Sequence, residues 1–148
     1  MTGPTLEGRE LVIELPGCLT NVEGAVITEM SCLGADLLYV YEPPCDVLER
    51  GAPRREADSR VMFWDFPGLS QTFFHRLPAL ALFLPVRWIL RESPLGVWLQ
   101  TTIPQRQEEM IADPRVDSVL NKLAENLQTA FRRVCEKQYP AESPRMCD

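Results

Sequence analysis

His75 is the only histidine of the chain, so an acid–base step that needs imidazole near neutral pH would have to pass through it. It stands in the run Phe73-Phe74-His75-Arg76, and no Ser or Cys sits in a GxSxG elbow that an imidazole could activate. Those neighbours describe an apolar turn, and no catalytic residue is assigned. The acids Glu108-Glu109 and the pair Asp113 and Asp117 accompany a helix start, where carboxylates complement the dipole. With a single histidine and no DxD or HxxE spacing, too few ligands are present for a metal, and neither metal nor cofactor is expected.

The segment Trp64-Asp65-Phe66-Pro67-Gly68 resembles the WDxxG segment of small GTPases, most closely the Rag type. The resemblance would place a bound nucleotide near Asp65. A phosphate-holding GxxxxGK[ST] loop is also required, and none occurs: the first lysine is Lys122. The five residues therefore read as the end of a strand and its turn.

Cys18, Cys32, Cys45, Cys135 and Cys147 are odd in number and irregularly spaced, with no CxxC, which is neither a zinc pattern nor a disulfide framework. Cys18, Cys32 and Cys45 lie in an acidic third, and carboxylates there would raise a thiol pKa rather than activate it. Glu7, Arg9, Glu10 and Glu14 occupy the place where a signal peptide would carry its apolar region. Reduced thiols and a cytoplasmic or nuclear location are expected.

Charge is unevenly distributed. Between Met1 and Glu49 the only cation is Arg9, against nine carboxylates, and the formal net charge of the chain is -6. Such a surface repels phosphate backbones, so nucleic acid is excluded as an expected partner. The most apolar stretch, Leu77 to Leu90, is interrupted by Pro78, Pro85 and Arg87 and is too short for about 30 Å of hydrocarbon, so no membrane span is expected.

The elements that would carry these residues follow from periodicity. Glu10–Leu15 reads as a strand ending at Pro16-Gly17, and two further apolar runs, Gly24–Met30 and Leu37–Tyr41, read as strands from their β-branched and aromatic content. Residues 49–60 read as a surface loop. Val61–Phe66 reads as a strand buried on both faces, Leu69–Leu84 as a short helix, and 86–90 with 96–102 as an antiparallel hairpin. Asp113 as N-cap and Pro114 at the first helical position open a long helix whose apolar stripe runs from Val116 to Val134, stopping at Tyr139-Pro140.

A chain of 148 residues with 45% hydrophobic content can bury one core by itself. The expected architecture is α+β: an antiparallel β-sheet, open or partly closed, with a short middle helix and a long C-terminal amphipathic helix packed on it. One globular domain over 1–140 and a tail over 141–148 are expected. The expected function is a non-enzymatic protein–protein interaction module, working as an adaptor, assembly chaperone or complex subunit with a hetero-oligomeric or homodimeric partner. Phe73, Phe74, His75 and Arg76 are its candidate contact residues. Alternatives are an anionic head-group or small-ligand domain using Arg54, Arg55 and Arg60, and an enzyme using Asp65 and His75.

Overall fold

The first strand, β1 (Gly8–Leu15), stops at Pro16-Gly17 and leads directly into a helix, α1 (Leu19–Cys32). The computed structural model describes residues 8–43, 58–69, 83–105 and 113–139. After α1 come β2 (Asp36–Tyr41), β3 (Ser59–Asp65), β4 (Val86–Ser93), β5 (Gly96–Pro104) and α2 (Pro114–Gln138). The five strands form one open sheet, in the order β1-β5-β4-β3-β2, with every neighbouring pair antiparallel.

Helix α1 corrects the expectation of a strand over Gly24–Met30. Leu19, Val22, Ala25, Val26 and Met30 are buried at helical spacing. The helix ends in a Schellman motif: Gly34, at φ +86, donates its N–H to Ser31 O, and Ala35 N–H reaches back to Met30 O. Ala35 and Met30 are both buried and complete its apolar contact. A helix of 14 residues is about 21 Å long. Four inter-strand spacings of about 4.8 Å make about 19 Å, so α1 has the length needed to connect the two edge strands, β1 and β2, across the sheet.

Helix α2 matches its expected limits. Asp113 Oδ1 accepts from Arg115 N–H at 2.9 Å, Pro114 fills the first helical position, and Tyr139 closes the other end by donating to Cys135 O. The Arg115 guanidinium bonded to Asp113 holds that carboxyl below the usual carboxylate range. Val116, Leu120, Leu123, Leu127, Ala130 and Val134 are buried.

Both helices pack on the same face of the sheet, where Leu15, Met62, Trp64, Val86, Trp88, Leu90, Val97, Leu99 and Ile103 join them in one core. Trp88 stacks on Phe131 of α2 with ring centroids 5.9 Å apart. Thr101, also on this face, donates its hydroxyl to Arg87 O at 2.8 Å and so is satisfied. The helices are tied at their polar margin by Glu29 of α1, buried at 7% exposure, whose carboxylate lies 2.9 Å from Lys137 Nζ and 3.9 Å from Arg133 Nη1 of α2.

One-sided packing corrects the reading of β3 as buried on both faces: Met62 and Trp64 are buried, while Val61, Phe63 and Asp65 are only half-buried. The hairpin over β4 and β5 is tighter than expected, with Pro94-Leu95 alone between Ser93 and Gly96. A Cβ at Gly96 would overlap the carbonyl oxygen of Leu15, so β1 closes on the hairpin only because that side chain is missing. Gly96→Ala is expected to lower stability by about 1–3 kcal/mol, read as a shifted urea midpoint. An unchanged midpoint would mean that β1 does not approach β5 this closely.

The expected short helix over 69–84 falls almost wholly outside the described residues, as does the tail from 141. Among the described residues, no helix is long and apolar enough to cross a membrane.

Candidate interaction surface

Alternation along each strand places one set of side chains against the helices and the other on the face turned away from both helices. On that face β1 presents Glu10, Val12 and Glu14, which pair with Thr102, Gln100 and Trp98 of β5. Gln100 and Trp98 in turn pair with Ile89 and Arg91 of β4. Across β3 the rows continue from Arg87 to Phe63 and from Ile89 to Val61, and across β2 to Tyr39 and Tyr41. Trp98 is 38% exposed and Val12 49%. The centre of the sheet thus offers a charged, partly apolar surface, and the β3–β2 side an aromatic one, on which Tyr39 stacks against Phe63 at 6.3 Å.

Among the described residues, β2 is an edge strand of the sheet. Leu37, Leu38, Tyr39 and Tyr41 are all exposed, half of the exposed large apolar side chains among the described residues. The pairing slips between Leu37 and Tyr39, leaving Leu38 as the extra residue of a bulge. Edge strands normally carry charge or proline to discourage pairing. This one reads DLLYVY, with Asp36 as its single charge.

Of the site residues that the sequence singled out, the structure describes Arg60 and Asp65. Phe73, Phe74, His75 and Arg76 lie outside the described residues, as do Arg54 and Arg55. Arg60, the third member of the candidate anion site, lies on β3 with Nε 3.6 Å from Glu42 and 3.9 Å from Glu23, so two carboxylates already balance its charge. Asp65 ends β3, opposite Asp36 of β2. Among the described residues, no three His, Cys, Asp or Glu side chains cluster as metal ligands. Cys32 and Cys135 are free thiols, and burial pushes the Cys135 thiol up.

A shallow groove runs between the end of β5 and the first half of α2, lined by Ile103, Gln105, Asp117, Leu120, Asn121 and Glu125 among others. Its charged residues, Asp117 and Glu125, are acidic, the wrong sign for a phosphate or head group. The surface that the sequence did not single out is the sheet's open face and its β2 edge. The sequence located the strands, but the face left bare depends on where the helices dock.

No protein-family model matches the chain, and no curated protein matches its sequence. Its fold is shared with a crystal structure described as an uncharacterized conserved protein, DUF302, from Bacillus stearothermophilus. The TM-score is 0.69 at 12% identity, and the match covers 85% of this chain and 97% of the other. At that identity the likeness concerns the fold: a five-stranded antiparallel sheet, not closed, with helices.

Proposed function

We propose that the chain is a non-enzymatic protein-interaction module that receives another protein by strand addition at the β2 edge. The observation that carries this reading is the exposed run Leu37, Leu38, Tyr39 and Tyr41 on a strand whose outer side, among the described residues, has no neighbour in the sheet. An added strand would take up the outward N–H and C=O groups of β2, and Tyr39 and Tyr41 would give the contact its side-chain selectivity. Phe73 and Phe74 remain a second proposed contact.

The test is photo-crosslinking in native cell extract, with a photoreactive amino acid at position 38, compared with the variant Tyr39→Ser/Tyr41→Ser. Both tyrosines are exposed, so the variant is expected to keep the parent melting temperature to within a few degrees while losing the cross-linked protein. Retention of the same cross-linked partner by the folded variant would refute the β2 assignment. Phe73→Ser/Phe74→Ser then tells whether that segment holds the partner instead.

A further inference from the structure

The open face of the sheet carries a charge pattern that complements itself. On β1 the outward residues are Glu10, Val12 and Glu14, and on β4 they are Arg87, Ile89 and Arg91, with Thr102, Gln100 and Trp98 of β5 between them. Row by row, Glu14 and Arg91 both pair with Trp98, and Val12 and Ile89 both pair with Gln100. Arg87 precedes Trp88, which pairs with Thr101, and so continues the row of Thr102 and Glu10. An acid–valine–acid column therefore flanks β5 on one side and an arginine–isoleucine–arginine column on the other, in matching rows. Among the described residues, Glu10, Arg87 and Arg91 take part in no ion pair. Glu14 accepts a hydrogen bond from Ser93 Oγ.

We propose that this face binds a second copy of the chain, about a twofold axis running along β5. Rotation about that line lays β1 of one copy on β4 of the other. Glu10 then meets Arg87, Val12 meets Ile89 and Glu14 meets Arg91, each twice, while Trp98, on the axis, packs against its own copy. Stacked sheets lie about 10 Å apart with strands nearly aligned, a gap that Glu and Arg side chains bridge from opposite sides. The pattern also excludes two other axes. An axis along β4 would set Arg87 and Arg91 on themselves, and one across the strands would set Glu10 on Glu14 and Arg87 on Arg91. Like charges so placed are repelled. The proposal uses different strands from the β2 edge and stands without the strand-addition reading.

Sedimentation equilibrium of the full chain at low salt tests it. The wild-type chain is expected to be a dimer that weakens as salt is raised. Arg87→Glu/Arg91→Glu and Glu10→Arg/Glu14→Arg should each raise the dissociation constant more than about 100-fold, because every cross-face pair becomes like-charged. Mixed in equal amounts, the two variants should form a 1:1 heterodimer, since all their cross-face pairs are opposite in sign. Should the loss of the Glu14–Ser93 bond unfold one variant, Arg87→Glu with Glu10→Arg, taken singly and then mixed, repeats the test on exposed residues alone. Acrylamide quenching gives a second readout: Trp64 and Trp88 are fully buried, so protection of fluorescence on dimerisation reports Trp98. A monomeric wild-type chain overturns the proposal. So do variants that dimerise like the parent, a mixture that stays monomeric, and a different protein cross-linked to Trp98 of a monomeric chain.

Discussion

Leu127→Asp unfolds the protein: far-UV circular dichroism at room temperature should lose its helical signal and the thermal transition should disappear. Leu127 has no exposed surface and lies in the core between α2 and the sheet. Removing the leucine forfeits about 1.5–3 kcal/mol of burial, and the cavity adds to this, bringing Leu→Ala losses to about 2–5 kcal/mol. An aspartate there must also be protonated or carry an unpaired charge into the core, at several kcal/mol more. Against a total stability of about 5–15 kcal/mol the sum is decisive. A variant that melts like the parent would mean that α2 is an appendage and that its stripe packs on nothing.

The second large effect belongs to Trp88, which sits on the middle strand, fully buried, with its ring stacked on Phe131. Trp88→Ala is expected to cost about 3–5 kcal/mol in urea unfolding, because a cavity of that size beneath two helices cannot collapse without moving the sheet. The indole Nε1 of Trp88, like that of Trp64, is buried without a hydrogen-bond partner among the described residues. An orphaned buried donor costs about 1–3 kcal/mol. Trp88→Phe is therefore expected to lose far less, since it keeps a ring against Phe131 and discards the orphan N–H. If both variants unfolded at the parent midpoint, the Trp88–Phe131 contact would not be part of the core.

The two surfaces divide the sheet between them. The bare edge of β2 and its aromatics lie at one side, and the charged columns of β1 and β4 flank β5 toward the other. An assembly that uses both could hold two copies face to face while leaving β2 of each open to a different protein. Arg60 argues against the anion-binding alternative, because Glu42 and Glu23 already hold it.

What the sequence determined by itself was whatever depends on near neighbours along the chain. Asp113-Pro114, the apolar stripe and Tyr139 specify α2, because capping and a period of 3.6 act within one element. Glu10–Leu15 and the runs 86–90 and 96–102 specify β1 and the β4–β5 hairpin, because strand-favouring runs and the turn residues between them are local too. Leu19, Val22, Ala25, Val26 and Met30, with Gly34 as a helix stop, were a helix signal too. The β-branched Val26-Ile27 concealed it, because strand preference follows packing context more than the residue alone. Tertiary structure decided the rest. Glu10 and Arg87 are distant in sequence and share a row only because β1 and β4 pair with β5 from opposite sides. Both helices dock on one side, so the alternate residues of every strand become surface, and an unremarkable set of Glu, Val, Arg and Ile becomes a self-complementary face. Periodicity dictates which side chains share a face of an element; only long-range pairing decides which faces meet and which remain bare.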